Sequence, residues 1–463
     1  MRWNIHKSLA VVCLTLVFGH VAESAEQMPV SVIINADDVA CDRFRGFGVE
    51  WDSRGYDAAG VTDEDFAVIR KRVEWMRFPV VRIMMRSEWC CKKGKYEWES
   101  PEMRALYRHL DLCQQMGTTV FLTEWRWKNE DRDVHEVGDL LDPKLAEIIG
   151  TYLDYLVNKR GYDCIKYFIM GNEPNGRGGD WGRWKKSVED VFAELRKRDL
   201  TKKIVFTGPD QVYNDKWHYM AVDQLQHILG AYDVHRYLDG WEVRAGHVYD
   251  YYSRLWQYAL DNDPKARNKP FVITEAGSWR PRAPRKNPLH LDYDYGVLMA
   301  DYAVQAANAG SSAVLAWMLD DNSHPKFTWG MWHNKANGLA LKPWFYPWSL
   351  LCRYFRSGSI ILKSEHTSKG VRVLVARYDR EKKRGGHWSF CVVNNSDAPA
   401  KVLLRVPDDS MLSMQRFVYR KDSAKADVNG FPLPLDTRVY DLSQEVVIDC
   451  AVNSVVVLTA ARD

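Results

Sequence analysis

Eight short apolar runs, separated by longer segments of helical period, constrain this 463-residue chain more than any other feature. They fall at 46–51, 80–85, 119–125, 167–173, 204–208, 232–237, 271–275 and 313–319. Short runs alternating with helical segments read as successive βα units, and eight such units are what a (β/α)8 barrel requires. The intervening segments carry the matching period. Thr62 followed by Asp65 is close to a capping box, and Phe66, Ile69, Val73 and Met76 then share one helix face. Val188, Val191, Phe192 and Leu195 form a second such face. A doubly wound open sheet is the weaker alternative, because no glycine-rich phosphate fingerprint follows the first run.

After residue 357 the pattern changes to short alternating strands without helices, separated by turns such as Asn394-Asn395-Ser396-Asp397, which reads as a small β-sandwich. The expected fold class is therefore α/β, a (β/α)8 TIM barrel followed by an all-β sandwich. The expected divisions are a signal peptide at 1–24, an N-terminal strand segment at 25–44 that joins the sandwich, the barrel at 45–356 and the sandwich at 357–463. The signal reading rests on Arg2 and Lys7, an apolar run at 9–18, and small residues through Ala22, Ser24 and Ala25. That run is too short to span a bilayer, so export to the periplasm or medium is expected.

Hydrophobic content of 46% excludes a disordered chain. The formal charge is +3, and 62 basic against 60 acidic residues remain beyond residue 24, so charge makes no case for nucleic acid or membrane binding. Eight cysteines remain beyond the signal, scattered and without zinc-ligand spacing. Cys113 and Cys164 lie in apolar segments and read as buried thiols, while a Cys391–Cys450 bridge stays open.

Barrel chemistry sits at the C-terminal strand ends. Glu173, in "IKYFIMGNEPNGRGGDW", closes run four, and Glu275, in "FVITEAGSW", closes run seven. By alternation Ile169, Gly171 and Glu173 share one face, and Phe271, Ile273 and Glu275 share another, so both carboxylates point into the mouth. Two carboxylates facing one bond are what glycoside hydrolysis needs, one protonated and one ionised. Asn172 is placed to bond a sugar hydroxyl. Taken alone, the tripeptide also fits a loop glutamate before a helix-start proline.

The pair in this setting resembles the retaining glycoside hydrolases of clan A, such as families 5, 30, 39 and 51. The resemblance implies that Glu173 is the acid/base and Glu275 the nucleophile. It extends to Arg82 in "VVRIMM", to His235 and Tyr237 in "YDVHRY", and to Trp317 in "LAWMLD". It implies an arginine near the nucleophile, a hydrogen bond from Tyr237 to Glu275, and a tryptophan flooring the sugar subsite. "LKPWFYPWSLLCRYF" before the sandwich is nearest in layout to families 30 and 39. Run three, ending "TEWRW", matches no one family.

Twelve of the 19 tryptophans follow run ends, where flat amphipathic surfaces suit sugar rings. Trp125, Trp279 and Trp317 are the subsite candidates, and about half of the twelve fit helix packing. Glu50, Glu124, Asp320 and Asp321 are further strand-end acids, read as structural or as substrate contacts. Arg177, Arg183, Arg280, Arg282, Arg285 and Lys286 are solvated loop charge or a site for acidic sugars. The expected partner is a carbohydrate, the expected state a monomer, and no cofactor or metal is required. A catalytically silent glycan-binding barrel is the alternative. A metal-dependent hydrolase is disfavoured because run-end histidines are limited to His235. The sandwich aromatics Trp388, Phe390, Phe417 and Tyr419 fit its own core.

Overall fold

The structure is a computed structural model that describes residues 29–125, 141–176, 179–279, 287–324, 327–364, 370–379, 386–421 and 423–461. The signal segment, Trp127, Arg177, Arg280, Arg282, Arg285 and Lys286 lie outside the described residues. Eight parallel strands close on themselves: β1 (Gly46–Glu50), β2 (Val80–Met85), β3 (Thr119–Glu124), β4 (Ile165–Met170), β5 (Val205–Val212), β6 (Ala231–Asp239), β7 (Phe271–Trp279) and β8 (Ala313–Ala316). The closing pair sets Ala313 opposite Gly46 and Ala316 opposite Val49.

Large and small residues together fill the base of the lumen. Phe121 and Tyr167 stack at 4.2 Å, while Val80, Ile169, Ala231, Val272, Ala313 and Leu315 complete the plug. Such a filled lumen leaves chemistry only at the rims. The outer faces of the strands pack against the helices, which form the main core with them. Helix Asp63–Met76 starts at the Thr62/Asp65 capping box, which is fully formed, and buries Phe66, Ile69, Val73 and Met76; a cap of this kind stabilises a helix by about 1 kcal/mol. Helix Trp181–Lys197 likewise buries Val188, Val191 and Leu195.

Beyond the barrel a seven-stranded antiparallel sheet and a three-stranded sheet face each other across a second core that contains Trp388 and Phe390. Strand Val39–Phe44 pairs with Ser359–Leu362 in the larger sheet, and Val30–Ile33 pairs in parallel with Ala400–Arg405 in the smaller one. The outer face of the larger sheet, with Leu374, Cys391, Phe417 and Val457, packs on the barrel core. A buried Arg372–Asp301 ion pair at 3.0 Å, joined by Asn395 at 2.8 Å, ties that sheet to helix Tyr293–Asn308. Cys391 and Cys450 are separate buried thiols, so the bridge left open by the sequence is not formed. Burial pushes the Cys450 thiol up to about 12. None of the described helices is long and apolar enough to cross a membrane.

Several strand boundaries differ from the sequence reading, and three of the differences shape the mouth. β4 ends at Met170, because Gly171 turns the chain at φ 88° and Glu173 follows at φ 48°. Glu173 is therefore a loop residue, and the alternation drawn from Ile169 does not reach it. β5 continues through Gly208-Pro209 to Val212, and β7 continues to Trp279. On β7, Val272 faces the lumen, whereas Phe271 and Ile273 face the helices. Phe271, Ile273 and Glu275 thus do not share a face. Val234 pairs with Ile273 and His235 with Glu275, which makes Thr274 the extra residue of a bulge. The bulge turns both Thr274 and Glu275 inward.

Candidate active site

β6 is flanked by bulges on both sides. Against β5, Asp233 pairs with Pro209 and Val234 with Gln211, so Asp210 is the extra residue there, with φ 54°. The two inserted residues converge on one atom: Asp210 Oδ1 lies 2.9 Å and Thr274 Oγ1 3.1 Å from His235 Nε2. The other ring nitrogen, Nδ1, is 3.1 Å from Glu173 Oε1 and 3.6 Å from Glu275 Oε2. His235 is fully buried between three carboxylates. Burial works against its charge, but Asp210 and Glu275 outweigh burial and carry its pKa up to about 10. It is an imidazolium at neutral pH, donating from Nε2 to Asp210 and from Nδ1 to Glu173.

Arg82, also fully buried, organises the other side. Its Nε donates to Thr123 at 2.9 Å, Nη1 to Glu275 Oε1 at 2.6 Å, and Nη2 to Asn172 Oδ1 at 3.0 Å and Asp210 Oδ2 at 2.8 Å. Nη1 also lies 3.2 Å from His235 Nε2, and with both groups charged this is a contact of two donors converging on Asp210. Burial opposes the guanidinium charge, but Asp210 and Glu275 raise its pKa above the ordinary value. Burial tends to raise the Asp210 pKa, but Arg82 and His235 hold it below the usual carboxylate range. Asp233 behind it is pushed the other way by burial and by Asp210. It accepts from the Asp210 amide at 2.8 Å and from Thr274 Oγ1 at 3.2 Å.

Glu275 is 4% exposed and accepts on both oxygens, from Arg82 on Oε1 and from the Tyr237 hydroxyl on Oε2 at 2.6 Å. Burial lifts its pKa above the ordinary carboxylate value, against the pull of His235 and Arg82. Tyr237 is fixed edge-on by Trp329 at 5.5 Å, and a Cβ on Gly277 would fall 2.7 Å from its ring. Glu173 differs: its side chain is 30% exposed. Its left-handed backbone, a strained conformation for a non-glycine residue, is held by an amide hydrogen bond to Asp210 Oδ2 at 3.0 Å. Asn175 pins the loop beyond it, its side-chain amide exchanging two bonds with Val212. Oxygens of Glu173 and Glu275 approach within 4.8 Å.

The sequence-predicted residues Glu173, Glu275, Asn172, Arg82, His235 and Tyr237 thus meet at one point of the mouth. Trp317 stands in an aromatic cluster beside them with Met84, Met318 and Trp329, and Trp125, Trp279 and Phe327 pack against it. The guanidinium groups of Arg54 and Arg86 lie over Trp125 at 4.7 and 4.6 Å. Trp279 stacks at 6.2 Å on Tyr213, which is 46% exposed. Trp51, Trp89, Trp184, Trp217 and Trp332 are buried in helix packing.

The other strand-end acids separate cleanly. Glu124 accepts from the Ser87 amide and the Tyr152 hydroxyl, Asp320 from Tyr56 and the Asn322 amide, and Asp321 from Lys342 and the Gly330 amide. Glu50 has no such partner, and with Asp52 and His324 it forms a trio whose donor atoms lie within 4.8 Å of one another. Two trios in the described mouth have the donor types and spacing to hold a metal, this one and Glu173, His235 and Glu275. His324, in the loop after β8, corrects the expectation that mouth histidines are limited to His235. Sequence reasoning also missed Asp210, Asp233, Tyr213 and Phe327. The signal for Asp210 was the acid directly after Gly208-Pro209, a pair that reads as the end of a strand.

No family model matches the chain, and no curated protein sequence does. Its fold is shared with solved structures at low identity. A monomeric β-xylosidase from Caulobacter crescentus CB15 superposes with a TM-score of 0.65 at 15% identity, and an α-L-arabinofuranosidase from Thermotoga maritima with 0.66 at 15%. A GH30 endoxylanase from Clostridium papyrosolvens C71 gives 0.64 at 12%. Each superposition covers 93% of this chain and 99% of the other. The GH39 and GH51 folds are also represented, by a β-xylosidase from Caulobacter crescentus and an arabinofuranosidase from Xanthomonas axonopodis pv. citri.

Proposed function

We propose that this chain is an exported, retaining glycoside hydrolase that cleaves O-glycosidic bonds of an oligo- or polysaccharide by double displacement. The observation that carries the reading is the approach of Glu173 and Glu275 oxygens to within 4.8 Å at the barrel mouth. Carboxyl groups in an inverting enzyme stand roughly 6.5–9.5 Å apart to admit water, whereas about 5–5.5 Å suits direct attack. The fold shared with xylosidase, arabinofuranosidase and xylanase structures supports the same class.

The environments of the two carboxylates support these roles. Glu275, buried and accepting from Arg82 and Tyr237, is held with an oxygen ready to attack the anomeric carbon. Glu173, the more exposed of the two, accepts from His235 on Oε1 and carries the proton on Oε2 toward the leaving oxygen. Once the glycosyl ester forms, the charge of Glu275 is lost. Glu173, left as the carboxylate once its proton has gone to the leaving group, then takes a proton from incoming water. Asn172 accepts from Arg82 through Oδ1 and offers its Nδ2 group to a sugar hydroxyl. Trp317 floors the subsite, and Trp125 and Trp279 extend it.

The protein acts as a monomer on carbohydrate, released by cleavage of the first 24 residues. Turnover of a glycan panel tests the function: wild type should hydrolyse at least one member with retention, and Glu275→Gln should lose at least a thousandfold. Binding without turnover by the wild type would instead favour the silent glycan-binding barrel.

A further inference from the structure

We propose that Glu50, Asp52 and His324 bind a divalent cation of the zinc or manganese type beside the candidate catalytic pair. The three donors come from the two strands that close the barrel. Glu50 ends β1 and Asp52 follows two residues later, so both side chains take the lumen side. Trp51 between them points outward, donating from its indole nitrogen to Tyr56 at 2.7 Å. His324 is delivered by the loop after β8, where Ser323 donates from its hydroxyl to the Asp52 carbonyl at 2.7 Å.

The spacing is that of a ligand set. His324 Nε2 lies 3.0 Å from Asp52 Oδ2 and 4.0 Å from Glu50 Oε1. Ligand atoms about 2.1 Å from a tetrahedral ion stand roughly 3.4 Å from one another. The chemistry is that of a ligand set too. Glu50 and Asp52 are fully buried and His324 is 8% exposed, yet both Glu50 oxygens lack a donor among the described residues and face only the Asp52 carboxyl and the His324 ring. Asp52 is held by its other oxygen, which accepts from the Met84 amide at 2.7 Å and leaves Oδ2 facing His324. Buried carboxylates are normally paired or bound to metal.

Arg82 reaches Glu50 only through its charge, because it directs its donors at Thr123, Glu275, Asn172 and Asp210. The trio of Glu173, His235 and Glu275 is equally compact, but Glu275 is already hydrogen-bonded by Arg82 and Tyr237, His235 by Asp210, and Glu173 by His235. A dication would neutralise two carboxylates and accept one neutral imidazole. One imidazole among carboxylates suits zinc or manganese better than calcium, which takes six to eight oxygens. The ion would tie the end of β1 to the loop that carries His324, whose ring packs 5.1 Å from Trp317 and 5.4 Å from Trp125.

The test uses the untagged full chain, stripped with a chelator and titrated calorimetrically with zinc chloride or manganese chloride alone, with thermal unfolding followed in parallel. One equivalent should bind in the micromolar range or tighter and raise Tm by several degrees. Glu50→Gln and His324→Ala should each weaken binding at least tenfold, while His227→Ala, at an exposed histidine far along the chain, should not. Because Glu50→Gln replaces a buried unpaired carboxylate with a neutral amide, its metal-free Tm should equal or exceed that of the stripped wild type. The proposal is overturned if neither metal binds and Tm is the same stripped or supplied, which would leave the trio to sugar hydroxyls or a shared proton. It is equally overturned if binding survives unchanged in both variants.

Discussion

Replacing Tyr237 with Phe removes one hydroxyl, the donor 2.6 Å from Glu275 Oε2, and leaves the ring seated between Gly277 and Trp329. A hydrogen bond to a charged group contributes about 1.5–3 kcal/mol. Since 1.36 kcal/mol corresponds to one pKa unit or one decade in rate, the loss should lower kcat/KM near neutrality by about 10- to 100-fold. The sign of the pH effect follows from which form acts. In the proposed mechanism Glu275 attacks as the carboxylate; its pKa already lies above the ordinary value because of burial, and the lost bond favoured the ionised form. The acid limb of kcat/KM should therefore move to higher pH, by about one to two units. The assay is a pH–rate profile on the best substrate of the glycan panel, with wild type and Tyr237→Phe compared at matched folding by circular dichroism. A kcat/KM within twofold of wild type and an unmoved acid limb would refute the idea that Tyr237 holds the nucleophile.

Other perturbations probe the same network. Gly277→Ala would set a methyl 2.7 Å from the Tyr237 ring, so it should reproduce most of the Tyr237→Phe loss in kcat with Tm lowered by only a few degrees, as calorimetry would measure. The His235 pKa is raised from about 6.5 to about 10 in the folded protein by Asp210 and Glu275 against burial. Its stabilisation, on the order of 5 kcal/mol, is therefore fully present below about pH 6.5 and lost as pH rises through 10. Unfolding by urea across that window should show the decline in wild type and a flatter curve in His235→Gln. All eight described cysteines are buried thiols, so Tm should be the same with and without dithiothreitol.

The eight strands were legible because a barrel strand buries both faces and so reads as an unbroken apolar run, as in β2 and β8. Glu173 and Glu275 were legible as acids beside those runs. What was not legible is how they arrive there. Glu173 reaches the mouth through a left-handed loop after Gly171 rather than by strand alternation. Glu275 does so through a bulge, and a bulge changes facing without changing residue type. Asp210 was hidden by Gly208-Pro209, which usually ends a strand, although here β5 runs on through it. The Glu50, Asp52 and His324 trio joins residues some 270 positions apart, so only barrel closure between β1 and β8 brings them together. Arg82 was expected near Glu275 and is there, as a fully buried hub holding Glu275, Asn172 and Asp210.

In the proposed mechanism Glu275 becomes covalently glycosylated during turnover. Incubation with 2-deoxy-2-fluoroglycosides bearing a good leaving group, matched to the sugar found active, followed by peptic digestion and mass spectrometry, tests it directly. The account predicts one glycosyl adduct per chain, located on Glu275 and absent from Glu275→Gln. An adduct on Glu173 or Asp210, or hydrolysis with inversion and no adduct at all, would contradict it.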